Sequence, residues 1–334
     1  MRIRFGYHVR KLDEATKAAK MGFDSIWVAD HFLPWSHRFT SAAPDSIPMV
    51  LSVLPIILDR TKCIVGSSVI CPLFRYHPVV IGQYFANLGH LFPSRVMLGV
   101  GTGEAINDVP LVGSWPSYEE RRSRLIESVE IINKLFTSEE YFDYSGRYYR
   151  LKGVYLYLKP KSKIPIIISC QGPKSAELAG ELGDGVIVGG GASPHKIENL
   201  IIPSFSRAAK RAGKDEKTLI KQVWITGGLT SDPQEAAQIS KPALPWLNPG
   251  TLQEADPRKI DEIAREISTE EILRVYPFVS EADDLIDYFE SYARAGINEI
   301  IYDDLSQFFQ NYCLKYDKVE TAWRKIFHYF REKK

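Results

Sequence analysis

The chain has 334 residues, 45% of them hydrophobic, with 42 Lys+Arg against 41 Asp+Glu. That length suffices for one large α/β domain or two ordinary ones, and the balanced charge gives no field to gather nucleic acid or an anionic membrane surface. Cys63, Cys71, Cys170 and Cys313 lack paired C-x-x-C spacing, which argues against a disulfide framework or a zinc site and fits a cytoplasmic protein.

Short β-branched runs alternate with longer amphipathic segments, the pattern of a parallel α/β fold. The N-terminus enters a strand without an apolar signal core, and no window approaches about 18 uninterrupted apolar residues, so neither export nor membrane insertion is expected. Strands are predicted at 3–6, 25–28, 63–69, 96–100, 165–169, 185–188, 222–226 and 299–302. Helices are predicted at 11–21, 48–59, 78–91, 118–136, 173–182, 195–212, 280–295 and 304–331. Eight strand-helix units in sequence favour a closed (β/α)8 TIM barrel over an open sheet. Two insertions interrupt the repeat. Residues 139–158, aromatic around a Ser-Gly turn, read as a hairpin, and the proline- and charge-rich 231–277 as short helices capping one end. With no linker or repeat in view, one domain over 1–334 is expected.

In such a barrel the residues after each strand converge on one face. The second strand is followed by ADHFLPW, with Asp30, His31 and Trp35; the bland alternative is a turn in which Asp30 bonds its own backbone. The third runs into Ser68-Val69, and the fourth into GTGEAIN. There Gly101, Thr102 and Gly103 let backbone approach a flat ligand, Glu104 offers a carboxyl for proton transfer and Asn107 an amide. The spacing is not the dinucleotide fingerprint, which needs a third glycine opening a long helix. A tight turn capped by Glu104 is the alternative. After the fifth strand, Cys170-Gln171-Gly172 precedes a proline at a predicted first helical position, so free amides face the barrel mouth. Gly189 and Gly190 before the sixth helix do the same. His77 and His90 are read as structural, and His37 and Arg38 as rim or solvated residues.

ADHFLPW, SSVICPLFRYHP, RVMLGVGTGEAIN and GSWPSYEER, taken in order, resemble the bacterial-luciferase-like superfamily, in the branch of dehydrogenases that use the deazaflavin coenzyme F420. The resemblance runs through nearly the whole chain. It implies a luciferase-like barrel, F420 as cofactor, a small-molecule substrate and a homodimer. It makes His31 the base for the substrate hydroxyl, Glu104 the acid serving the deazaflavin, and Trp35 a wall at the reacting centre. Asp30, Ser68, Val69, Gly101, Thr102, Gly103, Asn107, Cys170, Gln171 and Gly172 become cofactor contacts, with a non-proline cis bond at Ser68-Val69.

The sequence departs from the sugar-phosphate branch in two places. Small residues at 189–193 stand where a threonine and a lysine hold the phosphate, leaving Gly189, Gly190, Lys196 and Arg274 as substrate-side candidates. The first loop is short and lacks a glutamate, and Glu14 reads as an exposed helix residue. The texture of CQGPKSAELAGELGDG is closer to the F420-dependent secondary alcohol dehydrogenases. A secondary alcohol is therefore the expected substrate, with a glucose-6-phosphate dehydrogenase as the alternative and an FMN-dependent monooxygenase as a further one.

Overall fold

The computed structural model describes residues 3–36, 49–189 and 191–332. Eight parallel strands close into a barrel: β1 (Arg4–His8), β2 (Ser25–Val28), β3 (Ile64–Ser67), β4 (Val96–Val100), β7 (Ile166–Cys170), β8 (Gly185–Val188), β9 (Ile220–Leu229) and β11 (Glu299–Asp304). Closure comes from the β8–β9 pairing in one direction and the β9–β11–β1 run in the other. Strands β2, β4 and β8 are buried along their whole length, as strands covered on both faces must be. This is the closed (β/α)8 barrel expected from the strand-helix count.

Helices α1 (Leu12–Met21), α2 (Val50–Arg60), α3 (Pro78–Leu91), α5 (Tyr118–Thr137), α6 (Pro173–Leu182) and α11 (Ala282–Arg294) all fall within a few residues of prediction. Their ends have local causes. Gly22 closes α1 at φ +102, a left-handed position that glycine adopts freely. Glu14 turns back over the start of α1, its Oε2 accepting from the amides of Arg10 at 2.7 Å and Lys11 at 3.1 Å. It is a half-buried cap rather than the exposed residue expected. His77 opens α3 by accepting from the Val79 amide at 3.2 Å, and His90 Nδ1 lies 3.1 Å from the Lys159 carbonyl; both histidines are structural.

The expected sixth helix is interrupted. Pro194–Lys196 passes into a π turn at Ile197–Ile201 and then into Ile202–Arg211. Pro203 has no amide to give the ladder, and the wider π turn absorbs that loss. Two further departures bear on the site. Helix α4 (Ala105–Val112) follows β4 directly, where only a turn was read. The helix expected from 304 begins at Tyr316 (α12, Tyr316–Glu332), because β11 runs on to Asp304 and Phe309 is drawn into a second apolar cluster.

The first insertion is the predicted hairpin, β5 (Phe142–Ser145) against β6 (Arg150–Val154). The second holds helices α8 (Pro233–Ser240), α9 (Pro257–Glu266) and α10 (Thr269–Val275), with strand β10 (Phe278–Val279) extending the edge of β9. Its own core of Leu244, Ile272, Tyr276, Phe278 and Phe309 sets it over the C-terminal end of the barrel. The barrel floor is filled by Trp27, whose ring occupies the space that a Cβ at Gly6 or Gly66 would need. No helix among the described residues is long and apolar enough to cross a membrane.

Outside the barrel, Trp323 of α12 is 1% exposed and packs on Phe5, Phe23, Phe289 and Phe327. Trp323→Ala is expected to cost about 3–5 kcal/mol, since the cavity it leaves cannot collapse against a rigid strand. Urea unfolding checks this; a loss below about 1 kcal/mol would mean that α12 does not anchor the barrel.

Candidate active site

A cavity of about 430 Å³ opens at the C-terminal ends of the strands, within the range that holds a ring-sized ligand. Asp30, His31 and Trp35 reach it from beyond β2, Ser68 and Val69 from β3, and Gly101 to Glu104 from β4. Asn107 of α4, Gln171 after β7 and Gly189 after β8 complete the set brought together from the sequence-predicted residues. Cys170 and Gly172 do not line it: the Cys170 thiol is turned back onto the Gly172 carbonyl at 3.2 Å, behind the wall. Lys196 and Arg274 are also absent from the lining, which corrects their assignment to the substrate side. Gly190, His37 and Arg38 lie outside the described residues.

The polar centre is organised by Asn107. The Phe32 amide donates to Asn107 Oδ1 at 2.8 Å, which fixes the orientation of the side-chain amide. Its Nδ2 then faces Glu104 Oε2 at 3.1 Å and His31 Nδ1 at 3.2 Å. An amide nitrogen only donates, so His31 Nδ1 must present its lone pair, and in the neutral ring the proton sits on Nε2. Burial, reinforced by the nearby His8 and Arg75, lowers the pKa of His31 to about 4. Burial and the neighbouring Asp108 carboxyl raise Glu104 to about 8, although a third of its side chain remains open to the cavity. At neutral pH both groups are therefore uncharged. Asp30 is held from three directions, its Oδ1 accepting from the Val50 amide at 3.2 Å, Arg75 at 3.3 Å and Tyr76 at 3.3 Å.

A second polar cluster, not foreseen from the sequence, lies on the β1–β11–β9 wall. His8 Nδ1 is 2.9 Å from Asp303 Oδ1, the Arg10 guanidinium reaches the same carboxylate at 2.5 Å, and Thr226 donates to Oδ2 at 3.1 Å. The rule that pointed to Asp30 and Glu104, a polar residue at a strand's C-terminal end, applies equally to His8 and Asp303. Four indoles, Trp35, Trp115, Trp224 and Trp246, also line the cavity. Trp246 comes from the second insertion and meets Trp35 edge to face at 5.9 Å, and Trp115 donates to Gln253 at 2.9 Å. Among the described residues no cluster of His, Cys, Asp and Glu could hold a metal ion.

The family profile described as luciferase-like monooxygenase matches residues 9–299. The chain belongs to this family. It is 32% identical over 307 residues to an F420-dependent glucose-6-phosphate dehydrogenase of Gordonia bronchialis, covering 89% of each chain. It is 35% identical over 296 residues to the F420-dependent glucose-6-phosphate dehydrogenase 2 of Rhodococcus jostii, covering 86% of this chain and 85% of that one. Among solved structures it resembles an F420-dependent secondary alcohol dehydrogenase bound to an F420-acetone adduct, with TM-score 0.86, 31% identity, and coverage of 91% of this chain and 94% of that one.

The state of Glu104 can be read directly. A protonated carboxyl is expected in the infrared difference spectrum at pH 7, disappearing as pH rises through about 8 and absent from Glu104→Gln. A wild-type spectrum without that band at pH 7 would show the carboxylate already ionised.

Proposed function

We propose that this family member is an F420-dependent dehydrogenase that moves a hydride between a carbinol carbon and the deazaflavin. The observation that carries the reading is the pairing, through one amide, of a neutral carboxyl and a neutral imidazole in a cavity with a wall suited to a flat ring. That wall fits the cofactor on three grounds. Ser68 Oγ, at the cis Ser68–Val69 peptide expected there, is sealed and has no hydrogen-bond partner among the described residues. A Cβ at Gly101 would stand 2.8 Å from Val69 Cγ2, so the surface there is backbone. The amides of Gln171 and Gly172 share the Ser175 hydroxyl at 3.2 Å each, at the start of α6, where a phosphate of the cofactor tail would be favoured.

When bound, F420 supplies a two-electron acceptor for hydride. The protein's part is to position and to move protons. Glu104, uncharged at pH 7, delivers the proton that the reduced ring requires. Asp30, Ser68, Val69, Gly101 to Gly103, Asn107 and Gln171, which line the cavity, would hold the cofactor. His31 stands at the carbinol oxygen with Trp35 beside it. The role of base first given to His31 meets an obstacle in Asn107, which leaves the ring proton on Nε2, so His31 approaches that oxygen as a donor.

For the substrate, the names of the curated relatives support a sugar phosphate over the secondary alcohol favoured from the sequence. A neutral secondary alcohol is the second reading. It is supported by a cavity lining without lysine, in which Arg10 and Arg121 are already engaged with Asp303 and the Thr102 carbonyl. The indole wall suits the apolar face of either substrate.

Anaerobic mixing with F420 and glucose 6-phosphate, glucose, isopropanol or longer secondary alcohols tests both levels. Loss of the oxidised-ring absorbance is expected, with glucose 6-phosphate the most efficient. Preference for isopropanol would select the second reading, and tighter binding of FMN than F420 would overturn the cofactor assignment. His31→Ala is expected to lower kcat by about 10²–10³, as loss of one donor at a developing alkoxide does, with F420 affinity nearly unchanged. Unaltered kcat, where chemistry limits the rate, would remove His31 from the reaction.

A further inference from the structure

The oxidation of an alcohol needs a group that accepts the hydroxyl proton, and neither Glu104 nor His31 offers one. Glu104 is already protonated at pH 7. His31 has its one lone pair turned to Asn107. The His8–Asp303 pair has the opposite arrangement, and nothing in the motifs of the sequence assigns it a role.

The geometry follows from strand register. Tyr7 lies opposite Tyr302, so the next residues, His8 and Asp303, meet at the upper rim of β1 and β11. Asp303 in turn lies opposite Thr226 of β9. The carboxylate is 1% exposed and takes contacts from His8, Arg10 and Thr226. Burial works against its charge, yet Arg10 and His8 hold Asp303 well below the usual carboxylate range, so it is ionised at neutral pH. An ionised carboxylate only accepts, and the His8 proton must therefore sit on Nδ1. Burial holds His8 neutral by lowering its pKa, against the pull of Asp303. Its Nε2 is left as a lone pair. That atom has no hydrogen-bond partner among the described residues and is not one of the sealed atoms, and the ring lines the cavity. Trp224, 4.4 Å away between ring centroids, backs the imidazole and donates to Thr226 at 3.2 Å, tying the cluster together.

We infer that His8, oriented by Asp303, is the base that takes the proton of the substrate hydroxyl, while His31 donates a hydrogen bond to the same oxygen. The inference rests on the dehydrogenase reading. Two neutral histidines of opposite tautomer, close enough that charge on one opposes charge on the other, give a hydroxyl one acceptor and one donor. In the step, the O–H bond breaks and its proton goes to His8 Nε2. The C–H bond breaks with its electron pair leaving as hydride to the bound deazaflavin, and the C=O bond forms. Glu104 provides the proton that completes reduction. His8 then releases one proton to solvent and Glu104 regains one, so the residues return to their starting states. Asp303 is a positioning residue: it selects the tautomer and stabilises the imidazolium.

Imidazole ¹⁵N NMR on the protein without cofactor tests the tautomers, with His8→Gln and His31→Gln assigning the two rings. The expected result is a proton on Nδ1 of His8 and on Nε2 of His31, with Asp303→Asn shifting the His8 proton to Nε2. A His8 ring protonated at Nε2 in the wild type overturns the proposal. In steady-state assays, His8→Gln is expected to lower kcat by about 10²–10⁴ while the F420 Kd stays within about twofold of wild type, which also shows the variant folded. Wild-type activity together with a His8→Gln kcat within about threefold removes this proposal and leaves the dehydrogenase reading standing. Wild-type inactivity with every alcohol and sugar removes the dehydrogenase reading, and the proposal with it.

Discussion

The register of β11 between β1 and β9 is the constraint on which the rest depends. It places Glu299 and Asp303, two residues of one strand face, inside the barrel among partners that come from three other segments. Glu299 receives Ser25 at 2.5 Å, Arg4 at 2.6 Å and Gln222 at 3.1 Å, and Asp303 receives His8, Arg10 and Thr226. A slip of one residue would turn both carboxylates toward the helices and bring Ile300 and Tyr302 into the lumen. Each acid would then be buried without its partners, at a cost of several kcal/mol. The pairing therefore selects one closure of the sheet, and the same closure assembles one wall of the cavity.

Above that layer the cavity works by keeping its ionisable groups uncharged where they meet the ligand. Burial raises both Glu104 and Asp108, and the Asp108 carboxyl raises Glu104 further. His31 is lowered by burial and by its cationic neighbours. An uncharged acid and uncharged imidazoles let a site accept and return protons near neutral pH without a large reorganisation of water. The indoles of Trp35, Trp224 and Trp246 exclude solvent from the same space, and the last of these comes from the second insertion, so that segment completes the site as well as covering it.

Much of this was legible in the sequence, for particular reasons. ADHFLPW and GTGEAIN each carry several functional residues in one run, so Asp30, His31, Trp35, Glu104 and Asn107 stood out together, and the alternation of strands and helices gave the barrel. His8 and Asp303 are 295 residues apart, and their pairing exists only through the closure of the sheet. No local pattern marks it. Helix α4 was hidden by the Gly-rich turn before it, and Pro203 disguised a π turn as a continuous helix. The Gln310–Tyr312 turn was read as helix because its aromatic spacing is helical, while its packing partner, the second insertion, lies in a distant part of the chain. Lys196 and Arg274 were assigned by sequence position beside the site, and neither lines the cavity.

The central claim is direct hydride transfer in this cavity, and isotope transfer tests it most directly. A substrate carrying deuterium at the carbinol carbon should give reduced F420 with one deuterium per turnover, detected by mass spectrometry, and no loss of label to water. Reduced cofactor without deuterium, or label released to solvent, would contradict the account.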